Sequence, residues 1–484
     1  MTRRGALAPH TDVLLLANAM VGQFFTGIAT RVFIVSMPTI ATALHADILA
    51  VSWALIAYQL AGICLSVIFG RLGDIHGRHW IYGAGFLIMT VSSLLCGLAP
   101  TVGWLIAFRL VQGIGSAMLS SATRVLAMEA MPEAAAGRAN GYMTMSFHGG
   151  LLLGPPFGGL VIDLLDWRWI FLLLVPIGVA GMVLTAMRIR GVSRTPAGPA
   201  PAVDYVGSLL LVVLTVVLTL LVDRRSAAAV GAGSSSVMAA ALVLTLAGFV
   251  VHERRAPNPV VNFALFRIRM FVFSVLSLLA FAITGSVLTF LLPFYMQDVL
   301  HQSPSFMGLV FLVAPVLTIA LAPLAGRLTD RVGPRVPASI GLTMVMAGFV
   351  LGALLRVDSH WILPALLLAC TGVGQGFFNT PNQTAIIGSV PREYRGFATG
   401  LVQMTFGLGS LLGISLGGAL LTLLFRRYSG LADGTPSAAV PGPFVAAMNT
   451  AYAVCLVLML AALAASLLRG GRRIEAASSE SSMR

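Results

Sequence analysis

Two arginines sit inside long apolar runs, and their presence there needs a chemical reason. Arg31 lies in the first run and Arg109 in the fourth. A guanidinium at membrane depth is costly, seldom faces lipid and does not deprotonate, so each must face a cavity or a partner. Polar groups recur around them at helical spacing: Gln23, Thr26 and Thr30 on the approach to Arg31, and Gln112, Ser116 and Ser120 after Arg109. A third stripe, Gln375, Asn379 and Asn382 followed by Gln383, offers amides that need partners at this depth. His148 is the one histidine inside an apolar run, and histidine titrates near neutral pH. Phe290, Phe294 and Tyr295 supply aromatic surface near the end of a further run, and Gln403 is a weaker polar candidate. None of the 17 acidic residues falls deep inside a run.

A pocket built from these groups holds two cations and no fixed carboxylate. A cationic solute would meet like charge at low dielectric there, so an anionic or neutral amphiphile is favoured. Each residue also has a plainer reading, which the sequence leaves open. Arg31 can snorkel or pair with a helix end, Arg109 can bond backbone carbonyls, and His148 can be satisfied within a core.

Such groups need long helices to carry them. The chain is 58% hydrophobic and only 10% charged, with mean hydropathy +0.93. A water-facing surface of 484 residues needs far more charge. About fourteen runs are long enough to cross a bilayer as helices of roughly 20 residues, the pair near 205–222 and 236–251 being the shortest. All 30 basic residues are arginine. With the N-terminus inside, about 22 of them fall on the cytoplasmic side and about 6 outside, which orients both termini to the cytoplasm. The net charge of +13 is therefore a topology signal and does not point to nucleic acid. Arg3 and Arg4 precede a run longer than a signal-peptide core, so no cleavable leader is read. Cys64, Cys96, Cys370 and Cys455 all lie in apolar runs without metal spacing, so neither a disulfide nor a metal is expected.

One phrase occurs twice, as Gly70-Arg-Leu-Gly-Asp74-Ile-His-Gly77-Arg78 and Gly326-Arg-Leu-Thr-Asp330-Arg331-Val-Gly333-Pro-Arg335, an offset of 326 − 70 = 256 residues. The same offset carries Leu14, at the first apolar run, onto Met270, at the start of a later one. The repeat covers whole halves, the usual construction of a secondary transporter with its site at the bilayer midplane. Residues 1–190 are read as a six-helix bundle, 191–268 as a linker with two further spans, 269–468 as a second bundle and 469–484 as a tail. The phrase itself is read as a charged turn whose glycines permit unusual dihedrals.

Four phrases, in order along the chain, resemble the major facilitator superfamily, and specifically its fourteen-span drug:proton antiporter branch. They are Gly70-x-Leu72-x-Asp74-x-x-Gly77-Arg78, Arg109-x-x-Gln112-Gly113-x-Gly115, Gly150-x-x-x-Gly154-Pro155-x-x-Gly158-Gly159, and Trp167-Arg168-Trp169-Ile170-Phe171. The resemblance implies that Gly70, Asp74, Gly77 and Arg78, with Asp330 and Arg331 in the second copy, gate the cytoplasmic side, Asp74 reaching a helix start near Arg395 and Gly396. It implies that Arg109 couples protons or substrate, and that Gly150, Gly154, Pro155, Gly158 and Gly159 mark an exporter. The same five residues read more plainly as close helix packing with a proline bend. Two positions depart from the family pattern: Ile75 stands where a basic residue is frequent, and Ala29 where these antiporters commonly carry an aspartate.

The expectation is an all-α membrane protein, a monomer in the bacterial inner membrane, exporting a small organic substrate by alternating access against entering protons. Arg109 and His148 are the candidate proton-coupling residues, and Gln23, Thr30, Arg31, Arg109, Gln112, Phe290, Gln375, Asn379 and Asn382 the substrate-binding ones. No cofactor is expected, and no Gly-x-x-x-x-Gly-Lys-Ser/Thr phrase points to ATP. The rival readings are an exporter or exchanger of an endogenous anion, a membrane enzyme or channel, and a transport-inactive sensor.

Overall fold

The computed structural model describes residues 12–131, 136–189, 205–222, 234–256, 263–391, 394–430 and 440–469. They form helices throughout: α1 (Val13–Ala43), α2 (Ile48–His76), α3 (Arg78–Gly97), α4 (Val102–Glu129), α5 (Ala136–Leu164), α6 (Trp169–Leu172), α7 (Leu174–Ile189), α8 (Tyr205–Val222), α9 (Ser234–Glu253), α10 (Arg269–Phe294), α11 (Pro304–Val310), α12 (Val313–Val332), α13 (Arg335–Ala353), α14 (Ile362–Gly388), α15 (Arg395–Ser429) and α16 (Pro441–Leu468). In lipid a helix satisfies its own backbone, and runs this apolar have no other stable form. Polar residues punctuate the ends: Asp12 accepts from the Leu15 amide at 3.1 Å, and Asp47 from the Leu49 amide at 2.8 Å.

Among the described residues, twelve candidate spans are long and apolar enough to cross a bilayer. The two extra segments are helical, as α8 and α9, but neither is among the twelve, and the apolar stretch of α9 covers Val237–Glu253 only. Large apolar side chains are exposed along α3 (Leu87, Val91, Leu94), at its C-cap Leu98, and along α7 (Val179, Val183, Met187), as lipid-facing stripes require.

The chain forms two compact units: Met1–Leu221 with Ala227–Val260 and Gln302–Leu309, and Val222–Ser226 with Val261–His301 and Val310–Arg484. The repeat read from the sequence recurs as repeated contacts inside them. In unit one a Cβ at Gly113 would land on the Tyr58 carbonyl; in unit two one at Gly372 would land on the Ala314 carbonyl. Gly115 likewise leaves no room against the Met89 amide, nor Gly374 against the Val345 amide. Every partner in the second set lies 256 or 259 residues beyond its counterpart.

The duplicated phrase is mostly not a turn. Gly70 to His76 complete α2, and Gly326 to Val332 complete α12. The chain reverses only at Gly77 (φ 99°) and Gly333 (φ 80°), the helix C-caps, whose amides donate to Gly73 and Thr329. A left-handed φ at the helix terminus is the position that glycine fills without strain. Gly70 needs no unusual dihedral.

Candidate functional site

Unit one is organised around α1. This helix runs against α5, and the two backbones approach closely because glycine occupies the contact on both sides. A Cβ at Gly27 would collide with the Phe147 carbonyl, one at Gly150 with the Phe24 carbonyl, and one at Gly154 would come within 2.9 Å of the Arg31 Cβ. Gly158 meets Val32, while Gly159 faces the Pro304 carbonyl and Ser305. Asp163 accepts from the Ser305 amide at 2.9 Å, fixing the start of α11 on the end of α5. Pro155 and Pro156 remain within α5, with the Pro155 carbonyl at Gly308.

Arg109 is fully buried. Its Nη1 donates to Gln112 Oε1 at 2.6 Å and to the Ala29 carbonyl at 3.3 Å, and its Nε to the Ala54 carbonyl at 3.4 Å. The guanidinium lies 4.2 Å from the Tyr58 ring centroid and 4.6 Å from that of Phe33, two cation–π contacts. Gln112, also fully buried, donates onward to Ser93 Oγ at 2.7 Å. Of the two readings that the sequence leaves open for Arg109, a cavity wall or a partner, the geometry is the second: it is enclosed by α1, α2 and α4 and bonded to backbone carbonyls. Ala29, where an aspartate was sought, is likewise fully buried in a core cluster with Phe25, Phe86 and Met89.

A second polar chain joins Thr26, Thr30 and Ser116 through Tyr58, which the sequence reading did not single out. Tyr58 donates to Ser116 Oγ at 3.1 Å and lies 3.3 Å from Thr30 Oγ1, which itself donates to the Thr26 carbonyl at 2.7 Å. The signal available in advance was a lone tyrosine inside the second apolar run.

Arg31 is placed differently from Arg109. It is half-buried, and among the described residues it has no hydrogen-bond or ion-pair partner. Along α1 it shares a narrow accessible stripe with Met20 and Phe24, while Gln23, Thr26 and Ala29 are buried. His148 is exposed on α5, in line with Tyr142 and Met145, and the charge of Arg31 acts on it.

In unit two Gln375 and Asn379 keep partial exposure, and Gln383 lies open in a groove of about 390 Å³ with Thr380, Thr384 and Ile387. Asn382 does not join them. It is fully buried, its amide nitrogen donates to the Ser274 carbonyl at 3.0 Å, and its oxygen accepts from Arg469 Nη1 at 2.9 Å. Arg469, read from the sequence as the start of the tail, is 2% exposed and also donates to the Pro334 carbonyl at 2.8 Å. Burial, together with the charge of Arg335, lowers its pKa to about 10, so it stays charged at neutral pH. Phe290 is buried against Phe294 and Gly417, and Tyr295 donates to the Arg356 carbonyl at 2.6 Å, so this aromatic group is core and not open surface.

Of the gate residues, Gly77 and Gly333 form the turns, Arg78 is half-buried against Gly73, and Arg331 is exposed. The side chains of Asp74 and Asp330, and those of Arg395 and its neighbours, lie outside the described residues. No cluster of histidine, cysteine, aspartate or glutamate among the described residues is arranged to hold a metal.

Helices of this length and apolarity, built twice and carrying polar groups at mid-depth, define a multi-pass membrane carrier. Residues 19–205 and 273–481 match the Major Facilitator Superfamily, and the chain belongs to that superfamily as a non-enzymatic transporter. It is 32% identical over 397 residues to the uncharacterized transporter YebQ of Escherichia coli (strain K12), covering 81% of this chain and 85% of that protein. It is 30% identical over 418 residues to the multidrug resistance protein Stp of Mycobacterium tuberculosis (strain CDC 1551 / Oshkosh), covering 85% and 76%. Its fold matches the crystal structure of a bacterial homolog of the human lysosomal transporter Spinster with a TM-score of 0.68 at 16% identity, over 96% of this chain and 98% of that one.

Proposed function

We propose that this protein exports small organic molecules across a bacterial inner membrane by alternating access and proton antiport, within the fourteen-span branch, with both termini cytoplasmic. The observation that carries the reading is the α1–α5 seam. Three glycines of the phrase that resembles an exporter's, Gly150, Gly154 and Gly158, line the contact of α5 with α1, and Gly154 lies directly against Arg31. The resistance protein at 30% identity agrees with efflux as the direction.

The substrate-binding set that this placement favours is narrower than the sequence set. Of the residues in the sequence set, Thr30 and Arg31 keep accessible surface within unit one, and Gln375 and Asn379 keep it within unit two. Arg109, Gln112 and Asn382 act by holding helices. A second reading, exchange of an anionic metabolite without protons, is favoured by the absence of any acidic residue between Asp12 and Asp47 or between Glu133 and Asp163.

The test uses everted membrane vesicles from cells with and without the protein, energised by respiration. Export with proton antiport predicts substrate accumulation that collapses on adding a protonophore. Accumulation that survives the protonophore and requires a counter-anion selects the second reading, and no difference between the two vesicle preparations refutes transport of the compounds tested.

A further inference from the structure

We propose that Arg31 is an anion-recognition subsite at mid-membrane, and that the transported molecule carries a carboxylate or a similar anionic group. This rests on the transporter reading and names its substrate class.

Four observations support it. First, Arg31 is the nineteenth residue of a 31-residue helix, roughly 5 Å from the helix middle at 1.5 Å per residue. A charge at that depth is rare unless it serves a function. Second, the fold gives its other mid-span arginine partners within the protein, leaving only one buried nitrogen, Nη2, without one. Arg109 has three acceptors and two ring faces, whereas Arg31 has no partner among the described residues. Third, the helices around it carry no acidic residue over the stretches that face it: the sequence has none from 13 to 46, from 75 to 128 or from 134 to 162, which make α1, most of α3 and α4, and α5 up to Asp163. Asp163 itself is engaged at the far end of α5 by the Ser305 amide. A bound anion would supply the counter-charge that these helices lack.

The fourth observation is the setting. The exposed stripes of α3 and α7 that suit lipid carry apolar side chains, Trp80 and Met187 among them, whereas the accessible stripe of α1 carries a guanidinium and that of α5 a histidine. The Arg31 Cβ is seated against Gly154, where any added side chain would displace it. Met20 and Phe24 on the same stripe offer apolar surface to the body of an amphiphile, and His148 is exposed on the helix that packs against α1.

The experiment measures binding, so it is independent of whether transport is coupled to protons. The full-length protein in phosphatidylcholine nanodiscs is titrated with fluorescein, an anionic xanthene, and with rhodamine 123, a cationic one, by fluorescence anisotropy. Fluorescein is expected to bind at least tenfold more tightly. Arg31→Gln should weaken fluorescein at least tenfold and leave rhodamine 123 unchanged or improved, Arg31→Lys should retain most of the fluorescein affinity, and Gly154→Ala should weaken it several-fold.

Absent fluorescein binding, a preference for rhodamine 123, or unchanged fluorescein affinity in Arg31→Gln would each overturn the proposal. If Arg31→Gln does not fold, Arg31→Lys and Gly154→Ala decide: wild-type affinity in Gly154→Ala, or full loss in a folded Arg31→Lys, overturns it. A repeat in phosphatidylglycerol nanodiscs separates a lipid headgroup from a soluble anion, and tenfold suppression of dye binding there assigns the site to lipid and overturns the substrate claim. Tight, Arg31-dependent fluorescein binding with no vesicle transport would instead sink the export reading alone.

Discussion

Adjacent glycines in α5 should respond oppositely to the same small change. At Gly150 an added Cβ would overlap the Phe24 carbonyl oxygen and lie 2.7 Å from the Ile28 amide nitrogen, both backbone atoms that cannot swing aside. Restoring ordinary contact requires α1 and α5 to part by about 0.5–1 Å along a seam that also seats Arg31, and overpacking of this kind costs about 1–3 kcal/mol. Alanine regains up to about 1 kcal/mol of helix propensity, leaving a net loss of about 1–2 kcal/mol. At Gly149 a Cβ meets nothing within 4 Å, so only the propensity gain applies. At roughly 2–4 °C per kcal/mol, Gly150→Ala should melt about 2–8 °C below wild type, and Gly149→Ala at or slightly above it. The four free cysteines, two buried and two half-buried, make a thiol-reactive coumarin a suitable reporter of unfolding in detergent. Equal shifts for the two variants, or a wild-type melting temperature for Gly150→Ala, would refute the close-seam geometry.

The clamp at the end of α16 makes a further prediction. Arg469→Ala and Asn382→Ala should be non-additive in thermal stability, with a coupling of about 1–3 kcal/mol, and additive losses would remove the bond between them. Gly77→Ala and Gly333→Ala each force a left-handed φ on an L-residue and should each lose about 1–2 kcal/mol of stability; Gly70→Ala, in helix with only Ser121 nearby, should lose none, and equal behaviour of all three in the melting assay contradicts the turn assignment. Ala29→Asp restores the family's acid in a fully buried cluster of Phe25, Phe86 and Met89, so the folded yield on gel filtration should fall sharply, and a wild-type yield would mean that position 29 is not core.

What the sequence made legible follows from the physics of lipid. Spans were readable because a bilayer demands long uninterrupted apolar runs, and the duplication because Gly77 and Gly333 occupy the same left-handed turn in both copies. Side-chain direction was not readable. A helix such as α1 is apolar on every side, so no period in its sequence says that Ala29 and Gln23 turn inward while Arg31 stays accessible. For Arg109 the choice between a cavity and a carbonyl-bonded site stays open in the sequence, because its acceptors, the Ala29 and Ala54 carbonyls, are backbone groups that leave no trace there. The same holds for Arg469, whose carbonyl partner at Pro334 lies 135 residues away and whose place beside a serine-rich tail concealed its burial.

The most direct test of the central claim is a charge-selective probe placed next to Arg31. In a protein whose four native cysteines are replaced, Thr30→Cys puts a thiol on the residue adjoining Arg31, at a half-buried position of α1. A unit positive charge at this range in a partly buried site should favour an anion over a cation by roughly tenfold or more. The account predicts that a sulfonate methanethiosulfonate reagent modifies this thiol at least tenfold faster than its trimethylammonium counterpart, and that Arg31→Gln abolishes the difference. Faster modification by the cationic reagent, or no modification from either side of the membrane, would contradict it.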